Sequence, residues 1–345
     1  MSTTATPAAG EQAPQGAPPD GGPARTSGPR WRRIAGNNFI LIALGLFVLL
    51  FSLLEPDAFF TTSNFQIILG SQAVLVMLAL ALTVALTANE FDLSVGAVMG
   101  ACGVWLATLT ATYEWSLALA IPVVMLTALA IGALNAALTV WVGINSFIVT
   151  LGTGSLITGF AFKLTDSAVI AGLPVLLSDI TVTKIFGVQV IFFYAIGLAL
   201  VLWYVLEHTP LGRWTTFVGS GPEVARLNGL PVNGIRAGAL VLSAVIAGAA
   251  GILNAGALGS ADPNAGTSFL LPAFAAAFLG ATTIKPGRLN VWGTTLAVYL
   301  VIVGIVGLQV TTGASGWIVN VFNGGVLIVA VAMSRLLGHG SGAKP

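Results

Sequence analysis

Near position 37 the chain changes character. Before it, Pro, Gly, Ala, Ser and Thr dominate and large apolar groups are scarce, so residues 1–36 cannot bury a core and are expected to form a disordered tail. After it, charged positions become rare and widely spaced. Eight charge-free stretches are long enough to cross a bilayer, which takes about 20 mostly apolar residues: 34–54, 58–89, 93–113, 115–162, 185–206, 237–261, 263–284 and 289–334. Their Val, Ile, Leu and Ala run on without the alternation of a half-buried strand, so the pattern predicts helices and not a β-barrel. Two stretches, 115–162 and 289–334, hold 48 and 46 residues, and each contains a polar turn signal, Gly143-Ile144-Asn145-Ser146 and Thr311-Thr312-Gly313-Ala314-Ser315-Gly316. Each therefore divides into two helices. The expectation is an all-α membrane protein of about ten transmembrane helices, spanning residues 37–337 between the tail 1–36 and a short tail 338–345.

Composition strengthens this picture. Of the 345 residues 56% are hydrophobic and 7% charged, whereas a soluble domain carries about 25% charged residues. A net charge of +1 argues against a nucleic-acid partner. With one cysteine, Cys102, no internal disulfide or thiolate metal cluster can form, and the expectation is no metal and no cofactor. The first apolar run begins after residue 37 and has the length of a span, so it reads as a retained helix and not a secretory signal.

An even number of spans places both termini on one side. Lysine and arginine say which: Arg25, Arg30, Arg32, Arg33, Arg213, Arg226, Arg236, Lys285, Arg288, Arg335 and Lys344 fall on the terminal side, with only Lys163 and Lys184 opposite. Cytoplasmic N- and C-termini follow from the positive-inside rule. Two connections exceed a turn. Residues 163–188, outside, have room for a short surface element, and residues 207–236, inside, are the most polar stretch away from the termini. In the inner loop Ser220 or Gly221 can cap, Pro222 suits a first helical position, and Gly229 followed by Pro231 is a stop, so one short helix is expected. Val224, Ala225 and Leu227 would present its compact surface to something outside the membrane. Taken alone, that helix is as well read as a capped connector flanked by positive-inside charges.

Glu223-Val224-Ala225-Arg226-Leu227-Asn228-Gly229 resembles the Glu-Ala-Ala-x-x-x-Gly coupling loop of ABC-transporter permeases. Asn89-Glu90-Phe91-Asp92-Leu93-Ser94-Val95-Gly96 resembles the Gly-Gly-Ile-Asp-Leu-Ser-Val-Gly segment of the ribose-type, carbohydrate-uptake branch of that family. Ser146-Phe147-Ile148-Val149-Thr150-Leu151-Gly152-Thr153 resembles its Pro-Phe-Ile-Val-Thr-Leu-Gly-Thr segment, and Gly280-Ala281-Thr282-Thr283, Gly287 and Gly293 match a late glycine-rich one. In the family's order these cover roughly residues 38–337. Asn89-Glu90-Phe91 replaces Gly-Gly-Ile, and Ile284-Lys285-Pro286 stands where small residues are usual.

The resemblance implies the membrane subunit of a bacterial inner-membrane importer that carries a sugar, ribose-like or another monosaccharide. It further implies two copies of this permease, a separate ABC ATPase docked on each, and an extracytoplasmic solute-binding protein outside. It places ATPase coupling on Glu223, Ala225, Arg226, Leu227 and Gly229. No Gly-Lys-Ser/Thr occurs at any of the four lysines, so the chain has no ATPase motif of its own and is expected not to be an enzyme.

A gate or translocation path is the second candidate site. Phe91, Asp92, Ser94, Asn145, Phe147 and Asn254 are its candidate residues. Glu90 and Asp92 sit two apart in a charge-poor stretch: at membrane depth they would be functional by default, in a water-reaching turn they would be ordinary loop carboxylates, and Asp92 can also cap the next helix, with Ser94 as competing cap. Gln72, Asn135, Asn254, Gln309, Asn320 and Asn323 need partners in an apolar interior, met by interhelical hydrogen bonds or by a wet path for a hydroxylated solute. An ion-coupled secondary transporter of a small polar solute is the alternative function, and only Glu90 and Asp92 could couple it. A serine-hydrolase elbow at Gly313-Ala314-Ser315-Gly316 is excluded by His208 and His339 lying on the opposite side. Gly280 to Gly293 faintly repeats the spacing of residues 89–100, a hint of duplicated halves.

Overall fold

A computed structural model describes Ser2 and residues 38–313 and 316–338, with side chains up to Ala332; the rest of the expected tail 1–36 and residues 339–345 lie outside the described residues. Helices follow one another in the order α1 (Phe39–Leu54), α2 (Thr62–Ser71), α3 (Ala73–Thr87), α4 (Val95–Ala107), α5 (Leu117–Ala136), α6 (Ser146–Thr165), α7 (Val175–Val182), α8 (Val190–His208), α9 (Pro210–Ser220), α10 (Pro222–Leu227), α11 (Val232–Leu258), α12 (Ala265–Gly280), α13 (Val291–Thr312) and α14 (Trp317–Gly338). Wider π-helical turns, Thr108–Thr112 and Ala137–Trp141, continue α4 and α5.

Among the described residues six helices are long and apolar enough to cross a membrane: α4 and α5 with their π-turns, α6, α8, α11 and α13. Helices α2 and α3 meet that test together across a 41° bend at Gln72, while α1, α12 and the first part of α14 are shorter apolar helices. The boundaries have local causes. Asn145 accepts a hydrogen bond from the Phe147 N–H at 2.9 Å to start α6, and Asn290 accepts one from Gly293 at 2.7 Å to start α13. The turn signals expected at 143–146 and 311–316 coincide with the breaks α5/α6 and α13/α14, although Ala314 and Ser315 lie outside the described residues.

Helix α3 is buried along its whole length from Ala73 to Leu86. Around it α11 packs against α3, α4 and α5. That approach depends on missing side chains, with Gly251 of α11 against the Met99 carbonyl of α4 and Gly248 against Ala128 of α5; in the same way Gly96 and Gly100 of α4 admit Gly266 of α12. Large apolar residues such as Leu46, Leu126, Leu156, Phe160 and Ile328 face outward. A helical bundle with an apolar exterior is stable when its solvent is lipid.

One end of the bundle gathers the connection 166–189. It holds α7 and the strands β1 (Ile170–Ala171), β2 (Lys184–Ile185) and β3 (Val188–Gln189); β1 pairs antiparallel with β4 (Ser260–Ala261), and β2 with β3. Ser178 of α7 donates to the Gly256 carbonyl at 3.0 Å, which fixes this expected surface element on the end of α11.

Candidate functional site

At the other end three connections converge: 88–94 between α3 and α4, 209–231 between α8 and α11, and 281–290 between α12 and α13. Residues 209–231 are more ordered than a loop with one helix. Two helices form, because Pro210 and Pro222 each open one, and Gly221 adopts an extended φ of −170° between them. Backbone contact explains where α9 sits, with Gly219 pressed against the Thr87 carbonyl at the end of α3.

Helix α10 is the expected short helix. Glu223 and Arg226 pair at 3.0 Å one turn apart, both well exposed. Leu227 is 88% exposed and Val224 half-exposed. Ala225, expected to face outward with them, turns inward instead: it is fully buried with Val218, Val232 and Ile235, because a six-residue helix needs one side chain seated in the bundle to hold its position. Gly229 closes the segment at φ +77° with open space around its α-carbon, so a side chain there is opposed by backbone conformation and not by a clash.

Beneath this surface lies a chain of buried polar groups. Asp92 is fully buried, and its Oδ1 accepts from the Ser94 N–H at 3.0 Å and the Ser94 hydroxyl at 2.5 Å. Asn135 of α5 donates to Ser94 Oγ at 2.9 Å, and Thr153 of α6 donates to Asn135 Oδ1 at 2.7 Å. Thr150 of α6 donates to the Phe91 carbonyl at 2.9 Å and accepts from the Leu93 N–H at 2.9 Å, while Ser146 accepts from the Phe91 N–H at 3.1 Å. One connection is thereby tied to two helices through side chains. Asp92 Oδ2 faces the hydroxyl of Ser243 in α11, which brings a third helix to the same buried carboxylate.

Glu90, two residues earlier, is 1% exposed and forms an ion pair with Arg236 of α11. Neither acid is an ordinary loop carboxylate; both are enclosed by protein. Arg236 lies nine residues beyond Leu227, so the pair connects the base of the helix that follows α10 to the 88–94 turn. Chemically the arrangement holds charge and polarity in place, and among the described residues no group of three His, Cys, Asp or Glu gathers to hold a metal.

The candidate path residues separate into groups. Phe91, Asp92 and Ser94 share the network. Asn145 and Phe147 stand exposed at the start of α6 beside it. Asn254 does not join them, lying eleven residues along α11 from Ser243, about 16 Å at the helical rise. Thr150, Thr153, Ser146 and Ser243 were missed as site residues, and Arg236 read only as a flanking charge. A signal existed for three of them: Ser146, Thr150 and Thr153 are spaced four and three apart, which places them on one face of α6.

These features define an all-α, multi-pass membrane protein with a short exposed helix poised over a buried polar hub. Residues 64–331 match the family described as "Branched-chain amino acid transport system / permease component", and the chain belongs to that family. It is 30% identical over 300 residues to the D-allose transport system permease protein of Escherichia coli K12, covering 85% of this chain and 90% of that protein. It is 29% identical over 269 residues to the ribose import permease protein of Haemophilus influenzae, covering 75% and 81%, and 29% identical over 313 residues to the autoinducer 2 import system permease protein of Salmonella paratyphi B, covering 87% and 92%. No solved structure matches the chain. The protein is a transport permease component of a bacterial inner membrane.

Proposed function

We propose that this chain forms the translocation path of an ATP-driven sugar importer, with energy supplied by a separate ATPase subunit. The observation that carries the reading is α10: an exposed pair of apolar residues, Val224 and Leu227, seated on the bundle by Ala225 and closed by a left-handed Gly229. The relatives named for allose, ribose and autoinducer 2 support a monosaccharide or a similarly hydroxylated solute over the amino acid in the family's description.

In this reading residues 37–337 are one transmembrane domain between the tails 1–36 and 338–345. Ten crossings follow if the three shorter apolar helices cross as well as the six long helices and the bent pair α2–α3. The end bearing Arg213, Arg226, Arg236, Lys285 and Arg288 is cytoplasmic, as are both termini. Two copies of the permease pair, an ATPase docks on each α10, and a solute-binding protein delivers sugar at the end that carries α7. Closure of the ATPases pushes Glu223, Arg226, Leu227 and Gly229, with Ala225 passing the movement inward, and shifts the bundle between two packings. Phe91, Asp92 and Ser94 form the inner gate, with Asn145 and Phe147 at its mouth and Asn254 farther along the path.

The test is an affinity pull-down of the tagged chain from its host's mild-detergent membranes beside a Gly229→Arg copy, with bound proteins identified by mass spectrometry. A P-loop ATPase recovered with the native chain and lost with the variant is the expected result. A stable chain with no ATPase in either sample sinks the reading and favours the ion-coupled carrier. That carrier would show uptake abolished by Asp92→Asn and indifferent to ATP depletion with the proton gradient clamped.

A further inference from the structure

Behind α9, where the ends of α3 and α8 meet the 281–290 turn, lies a cavity of about 600 Å³. Three cations line it, Arg213, Lys285 and Arg288, together with one carboxylate, Glu207. Lys285 is neutralised by Glu207 at 2.8 Å. Among the described residues the side chains of Arg213 and Arg288 make no ion pair or hydrogen bond, so two guanidinium groups without a paired carboxylate line the same space. The remaining wall mixes apolar Leu86, Leu206 and Phe217 with Thr87, Thr216, Ser220 and Asn290. A second cavity of about 330 Å³ shares Leu206 and is lined almost wholly by apolar residues, including Leu211 and Trp214 of α9.

Helix α9 itself divides in the same way. Leu211, Trp214 and Phe217 are exposed apolar groups and Arg213 an exposed cation, the composition of a helix lying at the boundary between headgroups and acyl chains. A small free anion would satisfy the two arginines but leave the apolar neighbour empty. A molecule with a phosphate at one end and an acyl chain at the other fills both.

We propose that this pair of cavities binds an anionic phospholipid, its phosphate against Arg213 and Arg288 and an acyl chain past Leu206 toward Trp214. The proposal rests on the reading that this end faces the cytoplasm, where anionic headgroups meet basic pockets between transmembrane helices. The occupied site braces α9, which leads through Gly221 directly into α10, so lipid and ATPase docking act on one continuous segment.

The experiment is native mass spectrometry of the purified, delipidated full chain. It is titrated with phosphatidylglycerol, with phosphatidylcholine of the same chains, and with inorganic phosphate. Each unpaired arginine is expected to contribute about five-fold, the change that corresponds to roughly 1 kcal/mol per membrane-surface cation. Phosphatidylglycerol should therefore bind on the order of 25-fold more tightly than phosphatidylcholine. Arg213→Gln and Arg288→Gln should each lose about five-fold of that preference and the double variant nearly all of it. Lys163→Gln, at the other end of the bundle, should keep it. The single variants keep the test decisive should the double variant fail to fold. Equal binding of the two lipids, a preference unchanged by the arginine variants, inorganic phosphate competing as strongly as lipid, or quantitative displacement of lipid by the ATPase would each overturn the proposal. Because the readout needs neither ATP nor sugar, it stands or falls separately from the transport reading.

Discussion

The turn from α3 to α4 and the turn from α12 to α13 are built alike, yet the charged side chains of one are enclosed by protein and those of the other lie open. Each contains a non-glycine residue in the left-handed region, Asn89 and Ile284, both at φ 61°. Each ends on a polar residue between Leu and Val, Leu93-Ser94-Val95 and Leu289-Asn290-Val291. The adjoining helices touch through the hydroxyls of Thr83 and Thr294, 3.0 Å apart. Each turn also reaches a neighbouring helix through an ion pair, with the charges exchanged: Glu90 of the first turn meets Arg236 of α11, and Lys285 of the second meets Glu207 of α8. Burial separates them. In the first pair Glu90 is 2% and Arg236 28% exposed, whereas in the second Glu207 is 21% and Lys285 48% exposed. A charge stripped of water depends on its partner, while a hydrated one barely notices it, so the same device is structural in one turn and dispensable in the other.

Breaking the sealed pair should give the largest effect. Arg236→Met leaves the Glu90 carboxylate enclosed and unpaired, a defect that costs about 3–5 kcal/mol. Thermal unfolding of the detergent-purified protein should register it as a strong loss. Adding Glu90→Gln to Arg236→Met removes the stranded charge and should restore much of the stability, so the double variant is expected to be more stable than Arg236→Met alone. Strictly additive losses would mean that the pair is not the source of the defect.

Next in size is the polar chain beside it. Asn135→Leu removes the amide that both donates to Ser94 and accepts from Thr153, leaving two buried hydroxyls without that partner. About 1–3 kcal/mol of destabilisation is expected from the two lost hydrogen bonds, Ser94 keeping its bond to Asp92 and Thr153 its bond to the Val149 carbonyl. Thr153→Val, which deletes a single donor and keeps the shape, should cost less. Equal effects from the two, read by the same unfolding measurement, would show that Asn135 acts through packing and not as the link between α5 and the turn.

Much of this was legible before any coordinates. Spacing between charges located the helices, since a low-dielectric solvent forces long charge-free runs, and the Gly143–Ser146 and Gly313 signals fell at real breaks. The stop at Gly229 and the start at Pro222 were readable because proline and glycine restrict backbone angles locally. What escaped was long-range. Arg236 looked like one more positive-inside charge, and nothing within reach of its own sequence neighbours pointed to Glu90, 146 positions away. Ala225 could not be turned inward from a six-residue segment too short to show a face. Helix α9 was hidden for another reason: its exposed Leu211, Trp214 and Phe217 lie among Gly, Thr and Arg in a stretch too polar to read as a span.

The open turn supplies the smallest effect and the sharpest contrast. A double-mutant cycle on Lys285→Ala and Glu207→Ala measures their coupling directly. This pair at 2.8 Å, with its lysine half-exposed and Glu207 21% exposed, should contribute only about 0.2–1 kcal/mol, since water already solvates the ammonium group. That small coupling should vanish near 1 M salt, where screening acts within about 3 Å. The Glu90–Arg236 pair, whose carboxylate is enclosed although Arg236 is 28% exposed, should keep more of its coupling under the same conditions. If the Lys285–Glu207 coupling exceeded about 2 kcal/mol, beyond the range of exposed pairs, or survived high salt, then the second turn would be as tightly held as the first. Burial would then not be what distinguishes them.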